Sequence, residues 1–332
     1  CNLMDAGNLE AEKTAADKLI ADFANDNNLP ETVYWTIRHC EWTSKYDEAK
    51  RLCQQLIQKY PDNPFTDKAR LSIARSEVMA LVMSGKYDLA RTGLNKLVSD
   101  FPSNPDLPES LYMVAERCEW QRQFVQQKLI YGQIIQNYAG SPFASKAQIG
   151  IARADILSFI IEKDFVGFDN GLDKLFTNFA GNGELPQTVI IIGEWFYKEG
   201  LSQEKNGLRE ESKASFEKAV KVWDRVITEF PNSDLMPEVC CWAGDCYNKL
   251  GKYEESIQNF QKVVNNYSTY KHSWHALFMV GRNYEGMRDS GLISPNDAEP
   301  AIKAAYSQLL EKYPNCPAVQ TAQAWINANT SK

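Results

Sequence analysis

The chain has 332 residues, 44% hydrophobic and 24% charged, with 36 Lys and Arg against 43 Asp and Glu for a net charge of −7. That composition supplies a large apolar core and excludes a disordered chain. The acidic balance argues against a nucleic-acid binder, which carries a basic stripe, and no apolar run approaches the roughly 18 residues that a membrane-spanning helix needs.

Cys1 opens the chain. A terminal cysteine has the form of a mature bacterial lipoprotein, whose thiol carries the lipid; a simple chain boundary gives the same opening, and both readings stand. Residues 9–23 read as a lone helix that ends at Phe23-Ala-Asn-Asp. From there an aromatic followed by a Pro, Asn, Ser or Asp turn recurs at Tyr60, Phe101, Tyr138, Phe179, Phe230, Tyr267 and Tyr313. Twelve of the 14 prolines lie in these junctions or just after them, and Pro cannot continue a helix, so each junction marks a stop and a restart.

The first spacings between junctions are 37, 41, 37 and 41 residues, which implies a longer period of 78. Leu29-Pro30-Glu31-Thr32 returns as Leu107-Pro108-Glu109-Ser110 and as Leu185-Pro186-Gln187-Thr188, and Cys40-Glu41-Trp42 returns as Cys118-Glu119-Trp120. The stretch 65–75 returns at 143–153. Such a register points to tandem duplication of a two-repeat unit and to a solenoid rather than separate globules. Seven helix pairs are expected over 30–313. In 237–267, Pro237 suits a helix first turn, Gly251 ends the first helix, Tyr253 starts the second, and Ser256, Phe260 and Val263 share one face. Residues 198–211, rich in Lys, Glu and Gly, either extend both flanking helices or form a solvated loop; residues 288–299, rich in Gly, Ser, Pro and Asp, read as a surface loop. Residues 317–328, with Val319, Ala322 and Trp325, read as a capping helix.

The pattern Gly244, Tyr247, Gly251, Tyr253 and Phe260 resembles the tetratricopeptide repeat (TPR) family, as do Gly281 with Tyr284, and Gly85, Tyr87, Ala90 and Pro102. Ile37, Val78 and Ala115 stand where earlier repeats would carry the first-helix Gly. The [Tyr/Phe]-Pro-x-[Asn/Ser] junction is similar to that of TPR proteins of the bacterial envelope, including the outer-membrane-assembly lipoprotein and the Tol-associated division coordinator types. The resemblance implies an all-α, right-handed superhelical solenoid over 1–332, with about seven helix pairs plus a helix at each end. It also implies a non-enzymatic scaffold for protein–protein interaction in the cell envelope or outside the cell.

Residue chemistry agrees with a scaffold. No P-loop, GxGxxG, GxSxG or HExxH is present. His39 and Cys40 are adjacent, and neighbours on a helix point about 100° apart, a poor geometry for a nucleophile and its base. His272 and His275 lack ligand-forming neighbours, and the eight Cys contain no CxxC pair; Cys240, Cys241 and Cys246 read as small buried hydrophobes. No catalytic residue, cofactor or metal is therefore expected. The working part should be the face lined by the first helices: Tyr34, Arg38, Glu41 and Trp42; Arg75 and Met79; Tyr112, Glu116, Glu119 and Trp120; then Arg153, Glu194, Tyr197 and Asp245. Tyr, Trp and Arg are the residues that carry interface energy; alternatively Trp42 and Trp120 pack against neighbouring repeats. The expected partner is a protein or peptide, or other copies of the chain stacked end to end into a filament, with Cys1 and Cys316 as candidates for an intersubunit disulfide. Nucleic acid is not expected, and a membrane only through lipid on Cys1. Asn266 and Asn329 begin N-glycosylation sequons.

Overall fold

The computed structural model describes residues 9–329, and side chains from Lys13 onward. Cys1 therefore lies outside the described residues. Among them every regular element is an α-helix, sixteen in all. They divide into two compact units, residues 1–171 and 172–332, and the division falls inside one helix.

In the first unit α1 (Leu9–Asp22) precedes three helix pairs: α2 (Leu29–Trp42) with α3 (Tyr46–Lys59), α4 (Pro64–Met83) with α5 (Tyr87–Asp100), and α6 (Leu107–Trp120) with α7 (Phe124–Asn137). α8 (Pro142–Glu162) follows, and α9 (Phe165–Asn178) crosses the division. The second unit continues with α10 (Leu185–Lys205), α11 (Arg209–Glu229), α12 (Met236–Lys249), α13 (Tyr253–Asn266), α14 (Ser273–Asp289), α15 (Pro295–Lys312) and α16 (Val319–Asn329).

Local chemistry sets both kinds of turn. Within a pair the first helix ends in a Schellman motif. The amides of Lys45, Lys86, Gln123 and Lys252 donate to the carbonyls of Cys40, Leu81, Cys118 and Tyr247, five residues back. The residue before each donor sits in the left-handed region: Gly85 at φ +73° and Gly251 at φ +72°, but Ser44 and Arg122 at φ +61° and +57°. Between pairs, the junction proline occupies a helix first turn, where its missing N–H is no loss. The Asn63 and Ser141 side chains cap α4 and α8 by accepting from Phe65 N and Phe143 N. A hydroxyl six residues on then ties the junction down: Ser273 Oγ donates to Tyr267 O at 2.7 Å, and Thr66 Oγ1 does the same to Tyr60 O.

The pairs are antiparallel hairpins, since Ser256 Oγ on α13 reaches Gly244 O on α12 at 2.7 Å across the turn. Their apolar stripes fuse into continuous cores. One runs through Leu29, Ile37, Leu52 and Leu56, the next through Val78, Leu97, Leu111 and Ile134, and in the second unit another joins Phe260, Ala276, Tyr306 and Ala322. Close approach depends on missing side chains. A Cβ at Gly244 would lie 2.8 Å from Phe260 Cζ, and Gly193 and Gly281 face Trp223 and Tyr306 in the same way.

Two interruptions of the repeat resolve differently. Residues 198–211 lengthen both α10 and α11, leaving residues 206–208 as the connection. The surface loop expected over 288–299 shrinks to residues 290–294, because α14 continues to Asp289 and Pro295 starts α15. Composition misled there: Pro295 sits in the first turn, capped by Ser294, whose side chain accepts from Asp297 N.

Gly244→Ala is expected to cost about 1–3 kcal/mol, as overpacking does, because Phe260 is fully buried and has nowhere to move. Chemical denaturation checks this, and adding Phe260→Leu should recover part of the loss.

Candidate functional site

In the first unit the last turns of α2 and α6 converge beside α4. Glu41 and Arg75 are essentially inaccessible and form a two-pronged ion pair, Nε to Oε1 at 3.0 Å and Nη2 to Oε2 at 2.6 Å. Ser76 Oγ donates to Glu41, while Arg75 donates onward to the hydroxyls of Ser72 and Ser110. The pair thus joins three first helices: α2, α4 and α6. The 78-residue duplicate joins α6, α7 and α8: Arg153 Nε donates to Glu119 Oε2 at 2.8 Å and its Nη2 to Glu116 Oε1 at 2.6 Å. Gln127 donates to Glu119, and Tyr131 to Glu116.

Above the first pair sits an aromatic cluster. Arg117 is buried, donates to the carbonyls of Glu41 and Trp42, and lays its guanidinium 3.8 Å from the Trp120 ring centre and 5.7 Å from that of Trp42. The two indoles meet edge to face at 5.9 Å. Both stay open to solvent, Trp42 at 64% and Trp120 at 45%. Trp35, seven residues before Trp42 and so on the same face of α2, is 59% exposed. Arg38 lies between them on that face and bonds Glu109 on α6 at 2.6 Å.

The residues expected to line one open face therefore separate. Trp42 and Trp120 are exposed as well as touching each other across helices, and Arg38 and Glu116 are half-buried. Arg75 and Arg153, with their partners Glu41 and Glu119, are buried inside the helix stack and line no surface; Met79 is buried with them. For Arg75 and Glu41 the cause is the direct contact between α2 and α6, which closes over α4; Arg153 and Glu119 are enclosed among α6, α7 and α8. Tyr34 is buried against Phe65, and Tyr112 packs on Phe143 and Tyr131. On α2 the exposed aromatics are Trp42, as expected, and Trp35 in place of Tyr34, its neighbour about 100° round the helix. In the second unit Glu194 pairs with Lys198 at 2.7 Å, Tyr197 packs between Phe216 and Trp223, and Asp245 meets His275 at 3.2 Å. Burial, with Asp245 beside it, raises the Tyr197 hydroxyl's pKa.

Arg117, Gln127, Tyr131 and His275 enter these contacts without having been anticipated. A signal existed for the buried pairs: a Glu followed 34 residues later by Arg occurs at 41/75 and again at 119/153. Arg117 had none, because the residue 78 before it is His39.

Chemistry at the cysteines is muted. Cys40, Cys53, Cys118, Cys240, Cys241 and Cys246 are buried free thiols, and Cys316 is half-buried. Burial pushes the thiol of Cys240 up to about 11 and that of Cys118 up to about 12. Among the described residues no three His, Cys, Asp or Glu side chains gather closely enough to hold a metal ion, and no helix is long and apolar enough to cross a membrane. Asn266 ends α13, and Asn329 donates to Trp325 O at 2.8 Å; the rest of its sequon lies outside the described residues.

Helix hairpins packed on their neighbours, with exposed Trp side chains braced by a buried Arg, define a helical-repeat protein. Tetratricopeptide-repeat family models match residues 41–63, 237–269 and 275–315, which take in α3, α12 with α13, and α14 with α15. Those three segments are similar to tetratricopeptide repeats. No curated protein sequence matches it. Similar solved structures include Pseudomonas aeruginosa pilF, 12% identical over 89% of this chain and 96% of that one, with a TM-score of 0.31. A tetratricopeptide repeat protein from Parabacteroides merdae is 11% identical over 88% and 96%, at 0.35. The C-terminal part of a TPR repeat-containing protein from Cytophaga hutchinsonii is 13% identical over 87% and 98%, at 0.39.

Removing one member of a buried ion pair leaves the other uncompensated. Glu41→Leu is therefore expected to cost about 3–5 kcal/mol by urea denaturation, with part of the loss recovered on adding Arg75→Met. A thiol reagent applied to the native chain at mildly alkaline pH should leave the six buried cysteines unmodified until denaturant is added, as mass spectrometry of the labelled peptides would show.

Proposed function

We propose that this protein is a non-catalytic scaffold that docks a protein or peptide partner on the tryptophan-bearing face of α2 and α6. The observation that carries this reading is the exposure of Trp42 and Trp120 about a buried Arg117, with Trp35 exposed on the same face of α2. Exposed indoles cost solvation, and Arg117 holds two of them in fixed orientation, so little freedom is lost when a partner covers them. Trp and Arg are also the residues that dominate interface energetics. The partner suited to this surface offers apolar side chains to the indoles. Arg38 and Glu109 supply the polar rim. That tetratricopeptide repeats generally bind proteins supports the same reading.

The setting we propose is the bacterial cell envelope or the extracellular space, on the strength of the aromatic–Pro–x–Asn junctions. A lipid on Cys1 belongs to that proposal, and intact mass spectrometry of the chain from its native source tests it. Self-assembly is the competing form of partnership; light scattering over a concentration series distinguishes it by a rise in mass.

Peptides selected from a displayed library on the full-length chain test the docking face. Their affinity, measured by calorimetry, is expected to fall about 100-fold or more in Trp42→Ala/Trp120→Ala, since each anchor of this type contributes about 2 kcal/mol or more. Peptides that bind the double variant as tightly as the parent would place the docking surface elsewhere.

A further inference from the structure

The 78-residue duplication builds the same buried pair twice, and the two copies differ in charge. In the first, Glu41 meets Arg75 one to one among hydroxyls. The positions matching Glu116, Gln127 and Tyr131 hold Arg38, Ala49 and Cys53. In the second, two carboxylates, Glu116 and Glu119, share the single guanidinium of Arg153. Glu116 keeps 28% of its side chain in solvent, but Glu119 and Arg153 are only 4% and 3% exposed, so water does little to offset a negative charge placed on Glu119.

The hydrogen bonds of Glu119 point to the remedy. They converge on one carboxyl oxygen: Oε2 accepts from Arg153 Nε at 2.8 Å and from Gln127 Nε2 at 2.6 Å. The amide oxygen of Gln127, meanwhile, is buried and has no hydrogen-bond partner. A carboxylic acid and a primary amide pair through two hydrogen bonds, amide N–H to one acid oxygen and acid O–H to the amide oxygen. Half of that pairing is in place, and the missing half is a proton on Glu119.

We propose that Glu119 is a proton-binding site, carrying one proton at neutral pH and donating it to Gln127 Oε1, which leaves Glu116 as the ionised partner of Arg153. The cluster takes up one proton and becomes electrically neutral. The surrounding groups agree. α6 contributes Glu116 and Tyr112, α7 contributes Tyr131, whose hydroxyl donates to Glu116, and Lys128, and α8 contributes Arg153 and Asp155. Lys128 is already matched by Asp155 at 2.7 Å, which leaves Arg153 as the cation for both glutamates. Burial raises the carboxyl pKa of Glu119; Arg153 pulls it back and Glu116 raises it again, with the net result upward. A raised carboxyl contributes stability that is complete below the ordinary glutamate value and is lost as pH rises through the shifted one. Alkaline conditions therefore charge the contact between α6 and α8, one residue along α6 from Trp120.

Isotope-edited infrared spectroscopy of the full chain with labelled glutamate tests the site. At pH 7 a protonated-carboxyl band is expected in the parent and in Glu41→Gln, and is expected to vanish in Glu119→Gln. It should also vanish in Glu116→Gln, where Glu119 no longer competes for Arg153. In parallel, the parent should lose stability relative to Glu119→Gln as pH rises, because the glutamine amide donates to Gln127 Oε1 at every pH. Absence of the band in the parent at pH 7, its persistence in Glu119→Gln, or parallel pH–stability curves for these two proteins would overturn the proposal.

Discussion

The first unit is organised around a carboxylate and a guanidinium that have left water together. A helix hairpin offers an apolar stripe, and apolar stripes are permissive about register: a hairpin can slide or rotate against its neighbour with modest loss. A fork of hydrogen bonds between Glu41 and Arg75 is not permissive, because a shift of one residue would bury an unpaired charge. Small hydroxyls on α4 and α6 complete the arrangement, and fix three first helices at once. The same device, 78 residues on, fixes α6, α7 and α8.

The open surface follows from that closure. Because α2 meets α6 over α4, Arg75 is committed to the interior, as Arg153 is among α6, α7 and α8, and neither lines a surface. What α2 and α6 present instead is a set of indoles. Arg117 belongs to both regimes: its donors satisfy the carbonyls that end α2, while its planar face supports Trp120 and lies near Trp42. Rigid aromatic display on a well-anchored frame is the property that a repeat scaffold contributes to recognition. In the second unit Tyr197 stands 78 residues after Glu119, and Glu194, 78 after Glu116, pairs with Lys198. Close packing of rings against glycine takes over there, as at Gly193 with Trp223, Gly244 with Phe260, and Gly281 with Tyr306.

Periodicity in the sequence was enough for the helices, because each boundary is written in local chemistry. A junction proline can start a helix and cannot continue one, and Gly85 or Gly251 supplies the backbone that a Schellman turn requires. Where the rule is local but ambiguous, composition failed: Pro295 reads as loop and acts as a helix start. The site was less legible. Tyr34 and Trp35 are neighbours with similar chemistry, and which of them faces water depends on a helix rotation that no spacing of apolar residues fixes to better than one position. Trp42 and Trp120 were found because they repeat; Arg117 was not, because its duplicate is His39.

The sequence by itself determined that this is an all-helical repeat protein, where most helices begin and end, and that one two-hairpin segment was duplicated, since these are written in local turn chemistry and in a repeat along the chain. Tertiary structure alone decided which arginines are interior and which tryptophans are open. Those outcomes turn on how closely α2 approaches α6 across nearly 80 residues of chain, and that distance is set by packing in three dimensions, where a buried charge must find its counter-charge before the helices can close.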